Sequence, residues 1–184
     1  MKDQEAKISF LRLRKYIGVL GFSLPIAISV HSGLLSSISY SYYTNSHDLF
    51  VGSLYAIGLF LFCDKGYDSR DMVANRIAGF CALLVANFPC NGNYSWIHYL
   101  SASVLFSTLG YISLCLFTET KGVYTHQKMI RDTVYTSCGI AIFLSVFLIF
   151  AFTLLKIHIF IPESICLFSF GFSWLVKGDT LFKD

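Results

Sequence analysis

Charged residues are scarce in this sequence. Of its 184 residues only 14% are Asp, Glu, Lys or Arg, whereas 55% are hydrophobic. Because a soluble globular domain usually has about a quarter of its residues charged, this composition argues against a soluble protein and predicts a membrane protein. The formal net charge of +3 is too small to indicate a nucleic-acid-binding surface, so no nucleic-acid partner is expected.

Sequence signatures of several enzyme and metal-binding classes are also missing. The six cysteines show no C-x-x-C spacing, and five of them lie in or beside apolar runs, where cysteine behaves as a small hydrophobic residue. There is no G-x-S-x-G, P-loop, G-x-G-x-x-G or H-E-x-x-H motif. The sequence therefore predicts no disulfide framework, no metal and no cofactor, and it leaves open whether the protein is an enzyme.

Six apolar runs account for most of the chain. They cover residues 16–38, 49–63, 73–88, 96–117, 134–155 and 159–176. About 20 apolar residues are needed to cross a bilayer, so we expect an all-α polytopic membrane protein with six transmembrane helices, the second and third being short. The predicted organisation is a basic cytoplasmic segment at 1–15, a six-helix transmembrane domain at 16–178 and a cytoplasmic tail at 179–184.

Lysine and arginine are distributed unevenly among the predicted loops and ends. Thirteen of the fourteen fall on one side of the predicted spans, and only Lys156 falls on the other. Because Lys and Arg concentrate in cytoplasmic loops, both termini are predicted in the cytoplasm, which agrees with an even number of spans. The short loops favour a cell membrane, specifically a bacterial inner membrane.

Five polar side chains fall near the outer ends of five different predicted spans. They are His31, Asp48, Asn87, His98 and Glu163. Ionisable residues within a membrane are energetically costly and are therefore candidates for function. We predict that these five side chains form one outer polar pocket. The competing interpretation is that each one only caps a helix end or satisfies a neighbouring backbone group.

Such a pocket fits three classes of function. The first is an integral membrane protein that interacts with lipid or maintains the membrane without catalysis. The second is a membrane-embedded hydrolase or transferase that acts on lipid, with the His, Asp and Glu side chains as ligands or acid–base groups. The third is a channel or small transporter assembled from several copies. The expected partners are membrane lipids, and both a homo-oligomer and a membrane partner protein remain open.

Two stretches of the sequence carry motifs that resemble a known family. The first is ISYSYYTNSHDLFVGSLYAIGLFLF (residues 38–62), in which an Ile-Ser pair leads to Asp48 just before an apolar helix. The second is LLVANFPCNGNYSWIHYLSASVLF (residues 83–106), in which an Ala-Asn-Phe end is followed by a loop, His98 and small residues. The matching positions are Ile38, Ser39, Asp48, Ala86, Asn87, Phe88, His98 and Ala102.

These motifs resemble the six-helix superfamily that includes the damage-regulated autophagy modulators and relatives in GPI-lipid remodelling and phospholipid homeostasis. Phe88-Pro89 looks closer to uncharacterised prokaryotic relatives. The resemblance covers about residues 38–117, and His47 stands where the family has a proline before the acidic residue. It implies six spans with both termini inside and a role in membrane lipids or membrane homeostasis. It implies no particular catalytic mechanism.

Overall fold

The chain folds into α-helices joined by short connections. A computed structural model describes residues 2–66, 68–119 and 125–179, and for residues 2–9 it describes the backbone alone. Within these ranges there are six α-helices and no strand, which confirms the all-α prediction for the described residues. The helices are α1 (Lys2–Ser32), α2 (His47–Cys63), α3 (Ser69–Asn87), α4 (Ser95–Tyr111), α5 (His126–Leu154) and α6 (Phe160–Lys177). A 3-10 turn (Ser39–Tyr43) precedes α2, and a π-helical turn (Ile112–Leu116) continues α4.

The helix ends follow from local chemistry. Gly33 has a φ of +72°, a left-handed conformation that glycine adopts readily and that ends a helix. For this reason α1 ends at Ser32 and the apolar run at 16–38 is not one helix. At the start of α5, the Thr125 hydroxyl accepts a hydrogen bond from the Lys128 N–H, which caps the helix. The cap lies nine residues before the apolar run, so α5 begins with polar residues.

The six helices form a closed ring in which each packs against the next and α6 packs against α1. At one end of the ring, an added Cβ at Gly178 would lie 3.0 Å from the Lys15 backbone nitrogen. At the other end, the Ile159 N–H donates to the Ser36 carbonyl. The beginning of α1 and the end of α6 therefore lie at the same end of the bundle.

We name the two ends of this ring after buried residues that lie there. The Arg14 end contains the start of α1, the α2–α3 connection and the end of α6. The His98 end contains the α1–α2, α3–α4 and α5–α6 connections. Lys156 lies in the α5–α6 connection, whereas the other described Lys and Arg residues lie at or near the Arg14 end.

Glycine permits close contact between α1 and α6. A Cβ added at Gly171 would lie 2.4 Å from the Phe22 backbone nitrogen and 2.7 Å from the Gly18 carbonyl oxygen. Real Cβ atoms do not approach backbone atoms so closely, so the two helices can cross here only without side chains. Small residues of this kind allow helix backbones to pack directly in membrane proteins.

Four helical segments are long and apolar enough to cross a membrane. They are Phe10–Ser32, Ser95–Leu116, His126–Leu154 and Phe160–Lys177. Helix α2 is apolar but has only 17 residues, and α3 carries Arg70, Asp71 and Arg76 in its first half. The outer surface of the bundle displays many large apolar side chains, including Phe147 and Phe150. These features are compatible with a membrane location.

Candidate functional site

A cavity of about 540 Å³ lies between α4, α5 and the start of α6 at the His98 end. This volume falls in the range of small-molecule sites, about 300–1,000 Å³. One end of the cavity is polar, and the rest is an apolar wall. The polar end is formed by Ser37, Ser39, Cys90, His98 and Glu163.

The apolar wall comes from facing sides of α4 and α5. Phe143, Val146, Phe147 and Phe150 recur at helical spacing on α5, so they share one face of that helix. Phe147 and Phe150 are 66% and 65% exposed. The cavity is therefore accessible from the outer surface of the bundle, and its apolar wall continues onto that surface.

His98 joins the beginning of α4 to the end of α3. Its Nδ1 lies 2.7 Å from the carbonyl oxygen of Phe88, the residue that follows α3. Because a carbonyl oxygen only accepts hydrogen bonds, Nδ1 carries the hydrogen and donates it. The ring is 1% exposed. His98 thus satisfies a backbone carbonyl at the α3–α4 junction while its ring forms part of the cavity.

Glu163 joins α6 to the segment that follows α1. Its Oε2 accepts a hydrogen bond from the Ile38 N–H at 2.5 Å, and its Oε1 accepts one from the Ser39 hydroxyl at 3.3 Å. The residue lies in the first turn of α6 and is 7% exposed. Among the described residues no Lys or Arg forms an ion pair with this carboxyl group. Glu163 also borders a small void of about 30 Å³ in the bundle interior.

Cys90 brings the α3–α4 connection to the same polar end. Its Sγ lies 3.7 Å from the Ser39 carbonyl oxygen, to which the thiol donates. Burial raises the pKa of the Cys90 thiol, and the negative charge of nearby Glu163 raises it further. Ser39 therefore contacts both Glu163 and Cys90, so the α1–α2 connection, the α3–α4 connection and the first turn of α6 meet at this point.

The other three residues predicted for the pocket do not line this cavity. The His31 ring is exposed, and its Nδ1 lies 3.1 Å from the Ser46 hydroxyl. Asp48 is exposed and contacts the preceding histidine at 3.0 Å. Asn87 accepts a hydrogen bond from the Tyr55 hydroxyl at 2.8 Å and so links α3 to α2.

The structure thus brings together two of the five predicted side chains, His98 and Glu163, and separates the other three from them. All five do lie at the same end of the bundle. Depth along a helix follows from sequence position, but the direction of a side chain around its helix does not. Sequence reasoning also missed Ser37 and the α5 wall. In a helix that is apolar on every side, periodicity gives no contrast between a cavity face and a lipid face.

The hydrogen bonds at the polar end do not assemble a nucleophile and its base. Ser39 donates to Glu163, Cys90 donates to the Ser39 carbonyl, and His98 donates to the Phe88 carbonyl. The described residues at this end form no Ser–His or Cys–His contact, which nucleophilic catalysis needs; the His31–Ser46 contact lies outside the cavity. Among all described residues, no group of three or more His, Cys, Asp or Glu side chains is placed to hold a metal ion.

A second polar cluster lies at the Arg14 end and was not predicted. Arg14 of α1 donates from Nε to Asp64, which follows α2, at 3.1 Å. Asn75 of α3 donates to the Asp64 carbonyl at 3.0 Å. Lys177 of α6 donates to the Phe117 carbonyl at 3.2 Å. The sequence placed Arg14 in a basic cytoplasmic segment, Asp64 in a solvated loop and Lys177 at the membrane interface. In the structure their side chains connect the helices.

The fold and the cavity together define a class: an all-α bundle with membrane-length apolar helices and an amphipathic cavity that opens on its side. Comparison of the chain with known protein families, with curated proteins and with solved structures finds no match.

Proposed function

We propose that this chain is an integral membrane protein that binds lipid in the cavity at its His98 end and does not catalyse a reaction there. The observation that carries the proposal is the form of the cavity. A polar end built from Ser39, His98 and Glu163 continues into an apolar wall that reaches the exposed surface of α5. Such a cavity matches an amphiphile whose chain lies against α5 and whose head group reaches Glu163.

The proposed topology has six spans with both termini in the cytoplasm. At about 1.5 Å per residue, α2 and α3 are about 26 and 29 Å long, close to the bilayer core of about 30 Å. Both pack in the same ring as the four longer apolar segments. The concentration of basic residues toward the Arg14 end supports a cytoplasmic position for that end. The cavity then lies in the outer leaflet.

A binding role fits the hydrogen bonds better than catalysis does. The side chains of His98 and Glu163 each hold a backbone group of another segment, so their positions are set by the fold. The family resemblance of residues 38–117 supports a role in membrane lipids or membrane homeostasis, and the proposed location is a bacterial inner membrane. Membrane lipids are the partners proposed.

Photolabelling with a long-chain fatty alcohol that carries a diazirine in its chain tests this function. In neutral phospholipid nanodiscs, we expect the label on peptides of α4 and α5 that line the cavity. Val146→Phe places a ring in the cavity and should reduce this labelling several-fold. Unlabelled alcohol should compete with the probe in the wild type.

Leu144→Phe is the matched control. Leu144 lies on the same helix, is exposed on the outer surface of the bundle and does not line the cavity. This variant should label as the wild type does. Uniform labelling of all lipid-facing helices, or labelling that Val146→Phe leaves unchanged, would contradict a lipid site in this cavity.

A further inference from the structure

Among the described residues, the lining of the cavity contains one carboxyl group and no Lys or Arg. That group belongs to Glu163, which is buried and has no cationic partner among the described residues. Buried charges in proteins are usually paired or neutralised. A ligand that enters this cavity therefore meets negative charge and hydrogen-bond acceptors, and the described lining offers no Lys or Arg to hold a phosphate or carboxylate.

Burial disfavours the charged form of Glu163, and its immediate surroundings offset part of that cost. Its carboxyl group lies in the first turn of α6, where the positive end of the helix dipole stabilises an anion. The Ile38 N–H and the Ser39 hydroxyl both donate to it. An ionised carboxylate has about four acceptor sites, so these two donors leave acceptor capacity for a ligand.

From this arrangement we infer that the cavity selects single-chain amphiphiles with a protonated amine head group, which forms an ion pair with Glu163. The ammonium group has three donors, and the Ser37 and Ser39 hydroxyls at the same end of the cavity are further acceptors. The alkyl chain lies along Phe143, Phe147 and Phe150. This inference rests on the proposed lipid-binding function and adds the chemical class of the head group.

Competition against the photoactivatable alcohol tests the inference in the full chain in neutral nanodiscs. The competitors are a long-chain primary amine, the alcohol and the carboxylate of the same chain length. A charge-assisted hydrogen bond contributes about 1.5–3 kcal/mol, so we expect the amine to compete about tenfold to a hundredfold more effectively than the alcohol. The carboxylate should compete least.

Glu163→Gln keeps one acceptor oxygen for the Ile38 N–H, places an NH2 group beside the Ser39 hydroxyl, and removes the charge. It should reduce the affinity for the amine to near that of the alcohol, whereas alcohol binding should fall far less because the alcohol forms no ion pair with Glu163. Asp48→Asn is the matched control, because Asp48 is an exposed carboxylate at the same end that does not line the cavity. Partition of the amine into the bilayer is the same for every variant and cancels in the comparison.

The outcomes distinguish the proposed lipid site from the inferred preference for an amine head group. Equal competition by the amine and the alcohol in the wild type would overturn the amine inference and leave the lipid site standing. Failure of every compound to compete would overturn both. If Glu163→Gln does not fold, which loss of alcohol labelling would show, the order of the three competitors on the wild type still decides the head-group class.

Discussion

Arg14 and Asp64 form an ion pair in the interior of the bundle, with both side chains only 1% exposed. The pair joins α1 to the end of α2, and Asp64 also accepts a hydrogen bond from the Gly66 N–H at 2.9 Å. Removing two charges from water is costly, and their attraction in the bundle interior offsets part of that cost.

Removal of one partner of this pair should therefore destabilise the fold strongly. Asp64→Asn keeps an acceptor for Gly66 but removes the carboxylate that forms the ion pair with Arg14, and we expect a loss of about 3–5 kcal/mol in the free energy of unfolding. Arg14→Met leaves the Asp64 charge alone and should have a similar effect. Denaturation in detergent micelles, followed by circular dichroism, measures both.

The double variant Arg14→Met with Asp64→Asn provides the control. It removes both charges, so its loss should be clearly smaller than the sum of the single losses. Strict additivity of the two single effects would show that the ion pair does not couple α1 to α2.

Gly171 should tolerate no side chain. In Gly171→Ala the new Cβ would lie 2.4 Å from the Phe22 backbone nitrogen, so α1 and α6 would have to separate. Overpacking of this kind costs about 1–3 kcal/mol, visible as a lower thermal denaturation midpoint.

Gly52→Ala is the matched control for this crossing. Gly52 lies within α2, and an added Cβ there meets no atom within 4 Å. This variant should be neutral or more stable by about 0.5–1 kcal/mol, since alanine favours helix over glycine. Equal destabilisation by both substitutions would mean that the α1–α6 contact does not depend on Gly171.

His98→Ala should destabilise the protein, because it removes a hydrogen bond at the α3–α4 junction. The substitution leaves the Phe88 carbonyl without the donor that now lies 2.7 Å away. A polar group left without a partner in this way costs about 1–3 kcal/mol. Thermal denaturation and alcohol photolabelling should be measured together on the purified variant.

His31→Ala is the comparison, because the His31 ring is exposed and forms a hydrogen bond with the Ser46 hydroxyl. The free energy of unfolding of His31→Ala should fall by less than about 1 kcal/mol. If His98→Ala keeps wild-type stability but loses labelling, the imidazole contacts the ligand and its bond to Phe88 does not support the fold.

We expect Cys90 to be alkylated slowly and its alkylation rate to rise only at higher pH than for an exposed thiol. The thiolate is the reactive form, and both burial and Glu163 raise the pKa of this thiol. At a given pH the folded protein therefore has less thiolate than the unfolded chain, so its rate with iodoacetamide should rise only at higher pH. Peptide mass spectrometry isolates Cys90 from the other five cysteines.

Glu163→Gln removes the second cause of the raised pKa and should move the Cys90 profile back toward lower pH. The direction follows because loss of a nearby negative charge makes the thiolate less costly. A folded-state profile that coincides with that of the urea-unfolded chain would contradict the burial of Cys90 against Ser39.

Much of the secondary structure was predictable, since each of the six apolar runs corresponds to a helix. The helix boundaries were less predictable. Gly33 ends α1 six residues before the apolar run does, because its left-handed backbone breaks the helix. Thr125 begins α5 before the apolar run, because a side-chain cap does not require an apolar neighbour. The superfamily resemblance and the six-span topology stay predictions.

The candidate site was predictable only in part. The expectation that polar residues gather at one end identified His98 and Glu163. The amphipathic cavity depends on which faces of α4 and α5 meet across the gap between them, and apolar side chains on all sides of α5 gave no sign of it. His31, Asp48 and Asn87 have the expected depth, but their hydrogen bonds are to residues outside the cavity.

The sequence by itself determined the helical class and the apolar lengths of four membrane-compatible segments, because composition and hydropathy act locally along the chain. Only the tertiary structure decided that Arg14 pairs with Asp64, and that Glu163 and His98 share a cavity with the α5 aromatic side chains. The physical reason is that these contacts join segments far apart in the chain. They depend on the rotation of each helix about its axis, which direct backbone contacts such as Gly18 against Gly171 help to set.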